Sequence, residues 1–347
     1  MTSTRVAQIV GGDLVAAAAL MRALDDDLPG AREALRAIYP HGGRAFVVGV
    51  TGAPGVGKST LVDALITAAR ARGERVAVVA VDPSSPFSGG ALLGDRVRMQ
   101  RHATDPGVFI RSLATRGQQG GLSRSTTAAV AVLDAAGFPL VFVETVGAGQ
   151  AEIDVADAAD AVLVVTAPGL GDDVQALKAG LLEIADVLIV NKGDRDGADR
   201  AMADLTTMLG LAAFPSRPGE PIPWGPSEGP HAPPRRTALG EAQLRPREQR
   251  TAPPLVRASA ATGVGVADIV AALDELRAAP AAERDARRRR QAVRQITAIV
   301  GENARAAARA AIGTEDAPGP LAATVDQVAA RKLDPWSAAE ALTTGKT

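Results

Sequence analysis

The stretch that decides the fold is Val47–Leu61, VVGVTGAPGVGKSTL. An apolar, β-branched run ending at Val50 and Thr51 reads as a buried strand. It breaks into Gly52-Ala53-Pro54-Gly55-Val56-Gly57, and Lys58-Ser59-Thr60 then opens a helix carrying Leu61, Ala64, Leu65 and Ala68. Strand, G-x-x-x-x-G-K-S, helix is the phosphate-binding P-loop in the context that gives this motif its meaning. Its glycines let successive backbone N–H groups turn inward around an anion at a helix N-terminus. Lys58 is placed to reach the β- and γ-phosphates, and the Ser59 hydroxyl to take one position on Mg²⁺. The chain is therefore expected to bind a nucleoside triphosphate.

Composition sets the limits around that site. With 347 residues there is room for one large α/β domain and appendages. A net charge of −1 gives no electrostatic case for nucleic acid or an acidic membrane surface. The absence of cysteine excludes disulfides, thiolate metal sites and thiol nucleophiles. The histidines, His41, His102 and His231, are not spaced as a metal-ligand pair. No apolar run reaches the roughly 18 to 20 residues of a membrane span. Val6–Met21 is interrupted by Gly11, Gly12 and Asp13, lacks a signal-peptide core, and reads as helix in its second half. A soluble, cytoplasmic protein with neither nucleic-acid nor membrane partners is the expectation.

Residues 1–40 read as helices apart from the main sheet, with Leu14, Ala17, Ala18 and Met21 at helical spacing. Asp25-Asp26-Asp27 read as a solvated helix end, because consecutive aspartates point in different directions. Ala31–Ile38 starts a further helix. Arg75–Val81 is a second buried strand delivering Asp82 at its C-terminal end, the edge where open α/β sheets place ligands. Pro83–Gly90 is loop by composition, and a short helix follows with Asp95 and Arg98 three residues apart. That pair either shares a face toward the phosphates or forms a surface ion pair. Val108–Ser112 is a third strand, Ser125–Ala136 a helix, and Pro139–Val143 a fourth strand with the continuous apolar character of a parallel sheet. It ends in Glu144-Thr145-Val146-Gly147. Glu144 suits the metal shell, and glycine three positions on lets backbone approach a γ-phosphate, as a nucleotide switch requires. Gln150 need not position water.

Ala161–Thr166 is the fifth strand, and a helix with Val174, Leu177, Leu181 and Ile184 follows. Val187–Val190 is the sixth, ending in Asn191-Lys192-Gly193-Asp194. N-K-x-D at a strand end, after a P-loop, reads guanine: Asp194 can accept from N1–H and the exocyclic amine, and adenine offers no N1 donor. The Lys192 stem would cover one ring face. Ser259-Ala260, after strand Leu255–Ala258, reads as the backbone partner of the guanine carbonyl. GTP is thus expected over ATP. Residues 211–254 have linker composition, rich in proline, glycine and arginine. After helix Val266–Leu276, Arg287–Arg290 lead into a helix with Val293, Ile296, Val300 and Ala304 on one face. That pattern suits an arm packing against a partner with its arginines on the wet side. Pro318-Gly319-Pro320 breaks it, and two short helices finish the chain.

Assembled, these residues resemble the MeaB/ArgK family of P-loop GTPases. The matching pieces are TGAPGVGKSTL, VDPSSPFSGGALLGDRVRM, FIRSLATRG, GFPLVFVETVGAGQAE, PGLGDDVQALKAG and VNKGD, in order from Thr51 to Asp194. The resemblance implies a homodimeric GTPase whose C-terminal helices form the dimer contact. It further implies a chaperone of adenosylcobalamin-dependent acyl-CoA mutases, typically methylmalonyl-CoA mutase, gating cofactor loading and protecting the enzyme. Carried over by motif, Ser59, Asp82, Asp95, Glu144 and Thr145 would form the Mg²⁺ environment. Arg98 would touch the nucleotide, and Asp172–Lys178 would be a third switch. The long excursion at 211–254 departs from the family pattern.

The expected architecture is an α/β P-loop NTPase with a largely parallel sheet flanked by helices. Residues 1–43 form an N-terminal helical segment, 44–280 the GTPase domain, and 281–347 a helical dimerisation extension. Lys58, Asp82, Asp95 and Glu144 are the expected catalytic set. Two other functions compete. A metal-insertion GTPase is disfavoured by the lack of cysteine and of a histidine cluster. A kinase acting on an amino-acid transport protein needs an acceptor site that no feature supplies.

Overall fold

Seven short runs rich in Val, Leu, Ile and Ala form strands β1 (Phe46–Thr51), β2 (Val76–Asp82), β3 (Val108–Ala114), β4 (Leu140–Thr145), β5 (Ala161–Thr166), β6 (Val187–Val190) and β7 (Leu255–Arg257). They make one sheet in the order β3-β2-β4-β1-β5-β6-β7, parallel at every pairing. The computed structural model describes residues 3–82, 99–114, 124–145, 151–169, 179–212, 252–313 and 319–344. Asp95, Arg98, Val146–Gln150, Asp172–Lys178 and most of 211–254 lie outside the described residues, as does the side chain of Asp82.

Parallel strands need crossover connections, which bury both faces of the sheet and explain its unbroken apolar runs. Side chains alternate accordingly. Val48, Val50, Val78, Phe142, Leu163 and Ile189 pack on α4 (Lys58–Ala71) and on Val266–Arg277, a helix that carries Ile269 and Leu273. Val47, Val79, Val143, Val164 and Val190 face the other layer. Gly49 also faces that layer, where a Cβ would lie 2.7 Å from Val155 Cγ2 and 3.1 Å from Ala159 Cβ. Glycine there lets helix Ala151–Ala158 sit directly on β1.

The second layer includes α1 (Ser3–Val10), α2 (Leu14–Asp25) and α3 (Ala31–Ile38), set against helix Arg124–Ala135. Ile9, Leu20, Met21 and Ile38 join the same apolar cluster as Val79 and Val143, so these helices share a core with the sheet. Each aspartate at the end of α2 finds its own partner: Asp25 accepts from Ser125 Oγ at 2.9 Å, Asp26 pairs with Arg22, and Asp27 with Arg32. Among the described residues no single helix is long and apolar enough to cross a membrane; α1 and α2 pass such a test only as a pair bent by 116°.

By contacts the chain divides into units 1–291 and 292–347, and helix Ala281–Ile312 runs through the division. In the first unit the arginine run behaves otherwise than its composition suggests. Arg287 donates to the Asp160 carbonyl and lies 3.9 Å from Asp186, and Arg288 donates to the Gly43 carbonyl at 2.7 Å. Both therefore fasten the helix base to the chain entering β1 and β5 instead of facing only water. In the second unit, Val293, Ile296 and Val300 are exposed at 52, 62 and 60%.

Candidate functional site

The site is built at the C-terminal edge of β1, where the chain must leave the sheet and enter a helix within six residues. Gly52 takes φ +138°, and a side chain on it would collide with the Val165 carbonyl of the neighbouring strand. Gly57 caps α4 in the left-handed region at φ 93°, and its carbonyl accepts the Leu61 N–H at 2.9 Å. These glycine conformations give the loop the turn by which P-loop amides gather at the start of a helix, where the dipole favours an anion. Lys58 is 6% exposed; its Nζ donates to the Gly52 carbonyl at 2.7 Å and the Ala53 carbonyl at 3.0 Å. Those two bonds fold the ammonium back across the loop mouth. Pro54, Gly55 and Thr60 stay exposed around it, and Val56 anchors the loop in the core.

Ser59 follows Lys58 on the first turn of α4 and donates from Oγ to Glu144 Oε1 at 2.6 Å, both residues being buried. Glu144 stands opposite Val50 of β1 and Ala80 of β2, so strand register brings it beside the P-loop. Two residues past Ala80, Asp82 ends β2 at the same sheet edge. A buried hydroxyl against a carboxylate is a hard-oxygen donor set, and these residues fit Mg²⁺. Thr145 stands apart from them. As the next residue along β4 it points to the other face, and its hydroxyl reaches Thr51 Oγ1 at 3.2 Å.

The base-reading end is tied to this cradle by one side chain. Asn191 is 2% exposed; its Nδ2 donates to the Val56 carbonyl at 2.9 Å, and its Oδ1 accepts the Ala260 N–H at 3.0 Å. A Cβ on Gly57 would lie 2.6 Å from Asn191 Nδ2, so that glycine makes room for the tie as well as for the turn. Lys192, at φ 54°, donates from Nζ to the Gly55 carbonyl at 2.6 Å, laying its stem along the loop. The exposed Asp194 follows, and the Ser259 hydroxyl beside it holds its carboxyl below the ordinary value, helped by the charges of Arg195 and Arg257. It is thus an ionised acceptor at neutral pH.

Ser259 and Ala260 sit where the sequence places them, yet their N–H groups are engaged within the protein. That of Ser259 donates to the Val264 carbonyl at 2.9 Å and that of Ala260 to Asn191. A guanine carbonyl would have to share the latter with Asn191. Sequence reasoning overlooked Arg257, whose Nε donates to the Gly193 carbonyl at 2.8 Å and whose Nη1 meets Asp199 at 2.6 Å. Its only sequence signal is its place one residue before Ala258-Ser259-Ala260. It also overlooked Asp63 of α4, which receives Arg101 and lies 3.1 Å from the buried His102. That cluster fixes the chain just after the stretch holding Asp95 and Arg98 to the P-loop helix.

A family model described as methylmalonyl-CoA mutase-associated GTPase MeaB matches residues 18–312. A protein of Pyrococcus abyssi whose name proposes a GTPase is 58% identical over 200 residues, 58% of this chain and 62% of that one. The match thus spans less than two thirds of that relative's length. A Mycobacterium bovis protein with a similar name is 38% identical over 289 residues, covering 82% of this chain and 77% of its own. The crystal structure of a LAO/AO transport system kinase superposes with a TM-score of 0.67 over 99% of this chain and 96% of that one. At 23% identity that is a likeness of fold.

Proposed function

This chain belongs to the MeaB family of methylmalonyl-CoA mutase-associated GTPases, and from that premise we propose that it binds GTP with Mg²⁺ and hydrolyses it to GDP and phosphate. The observation that carries the reading is the Asn191 tie. One buried amide holds the P-loop at Val56 and the Ser259-Ala260 turn at once, so phosphate cradle and base reader form a single receptor. Two separate sites would need no such link.

In this reading Gly52, Ala53, Pro54, Gly55, Val56, Gly57 and Thr60 supply the cradle, and Lys58 faces the β/γ-oxygens. Ser59 and Glu144 hold Mg²⁺ together with Asp82 and Asp95, and Arg98 contacts the nucleotide. Bound there, Mg²⁺ supplies positive charge against the phosphate oxygens. Thr145 contributes by fixing the end of β4 against β1. Asn191, Lys192, Asp194, Ser259 and Ala260 receive guanine, and the ionised Asp194 favours it over adenine.

The family match supports a reading of the client as well. The protein would act on an adenosylcobalamin-dependent acyl-CoA mutase such as methylmalonyl-CoA mutase, in the cytoplasm, gating cofactor loading and protecting the enzyme. A homodimer joined through the C-terminal helices is part of the same reading, and the exposed row Val293, Ile296 and Val300 supports it. If nucleotide state alters mutase affinity, mutase must alter nucleotide affinity by the same factor. The test titrates purified mutase while measuring GTP and GDP affinity, phosphate release and cobalamin transfer. Coupling in any of them is expected. No change across GTP, GDP and a non-hydrolysable analogue would discard the client and leave the GTPase.

A further inference from the structure

Arg257 ends β7, and the edge of its guanidinium meets the backbone carbonyl of Gly193, the third residue of the N-K-x-D tetrad. Nε donates to the Gly193 carbonyl at 2.8 Å and Nη2 donates to the same oxygen. Nη1 meets Asp199 at 2.6 Å, on the first turn of the helix that follows the tetrad. Across the backbone, the Gly193 N–H donates to the Ala258 carbonyl at 2.8 Å. A Cβ on Gly193 would lie 2.7 Å from Arg257 Cγ and 3.0 Å from the Ala258 oxygen, so glycine here is the space into which the arginine fits.

The consequence follows from peptide geometry. The Gly193 oxygen, the Asp194 nitrogen and the Asp194 Cα belong to one planar unit. Two charge-assisted bonds to that oxygen fix the plane, and with it the direction in which the Asp194 side chain leaves the backbone. Asp194 itself is exposed, so little packing holds it. The Asp199 end of the clamp is 92% exposed, and an ion pair in that setting holds little by itself; it orients the guanidinium. On the guanine reading proposed above, we infer that Arg257 is a positioning residue for base recognition: it aims Asp194 so that its two oxygens meet guanine N1–H and the exocyclic amine together.

The experiment measures, by calorimetry on the full chain, affinities for GTP, inosine triphosphate and ATP. Inosine keeps N1–H and lacks the exocyclic amine, so the GTP-to-inosine ratio reports one of the two bonds to Asp194. In Arg257→Met that ratio is expected to fall about tenfold, because a donor–acceptor pair misplaced by an ångström loses most of its discrimination. GTP affinity falls with it, and ATP affinity changes less. In Arg257→Lys one donor to Gly193 survives without the fork, and the ratio is expected to fall about threefold. Circular dichroism checks each fold, and Arg257→Lys decides if Arg257→Met does not fold. A wild-type ratio in a folded variant, or an equal loss for GTP and inosine triphosphate, would overturn the inference and leave guanine recognition standing. A wild-type protein that binds all three nucleotides equally would remove the guanine reading, and the inference with it, before any variant is made.

Discussion

The Ser59 hydroxyl and the Glu144 carboxylate, 2.6 Å apart in the interior, join the first turn of the P-loop helix to the end of β4. The pair exists because register sets Glu144 opposite Val50, one residue before β1 ends and the loop begins. A buried carboxylate in that position supplies the charge that a divalent cation needs, and the serine adds a neutral oxygen. Glu144→Gln keeps an acceptor for the serine and removes the charge. The Mg²⁺ concentration that half-saturates GTP hydrolysis is expected to rise about 10- to 100-fold. An unchanged Mg²⁺ midpoint would remove Glu144 from the metal's surroundings.

Lys58 is held by the Gly52 and Ala53 carbonyls at the mouth of the loop. Removing it takes away the cation that the loop itself holds beside the β/γ-oxygens, so Lys58→Ala should lower GTP turnover by about a hundredfold or more. Phosphate release in single-turnover mixtures measures it, with circular dichroism as the control. Near-normal turnover in a folded variant would sink the P-loop assignment.

The seven strands were legible along the chain, with ends within two residues, because a parallel sheet buried on both faces writes itself as unbroken apolar runs; their order in the sheet was not. Those runs stop at Thr51, Asp82, Glu144 and Asn191, so the sheet edge bearing the motifs could be read with them. Helices Ala151–Ala158 and Ala198–Ala212 escaped notice, the first because its small residues give it little apolar periodicity. What could not be read was long-range polar pairing. Arg287 looks like one of four equivalent arginines until β5 and β6 bring Asp160 and Asp186 to it. Arg257 looks like an edge-strand charge until Gly193 arrives. The family motif carries Thr145 over together with Glu144, yet adjacent strand residues face opposite ways, and the Thr145 hydroxyl meets Thr51.

The Ser259 hydroxyl, the Asp194 backbone N–H and the neighbouring arginines hold the Asp194 carboxyl below its ordinary value, and an ionised acceptor selects a base with two donors. Asp194→Asn exchanges an acceptor for a donor at one atom. It should weaken GTP by at least about tenfold and improve xanthosine triphosphate, whose carbonyl replaces the amine. Competition calorimetry measures the exchange; parallel losses for both nucleotides would mean that Asp194 does not read the base.

Gly49 tests the packing of β1. A methyl group there must enter space 2.7 Å from Val155 Cγ2 and 3.1 Å from Ala159 Cβ, and the helix carrying Val155 must retreat. Overpacking of this kind costs about 1 to 3 kcal/mol. Urea unfolding of Gly49→Ala should show a lower midpoint with an unchanged slope. An equal midpoint would mean that helix Ala151–Ala158 does not bear on β1 in solution.

The opposite edge of the sheet carries the pH prediction. Asp160 precedes β5, accepts the Val47 N–H at 2.9 Å and returns its own N–H to the Val47 carbonyl at 2.7 Å, pinning β5 to β1. Burial raises its carboxyl above the ordinary value; the Val47 bond and the charges of Arg288 and Arg287 oppose the shift without cancelling it. The folded state therefore holds this proton to a higher pH than the unfolded chain does. Between the two pKa values the folded state carries more bound protons, so this group's contribution to stability falls as pH rises through that window and stays low above it. Asp160→Asn keeps an oxygen for the Val47 N–H and has no charge to bury. Other carboxylates titrate in the same range, so the informative quantity is the stability of the variant minus that of the wild type, from chemical denaturation at a series of pH values. That difference should be smallest in acid and grow in the variant's favour toward neutral pH. A difference that shrinks, or a variant less stable at neutral pH, would mean that Arg287 and Arg288 outweigh the cost of burying the Asp160 charge.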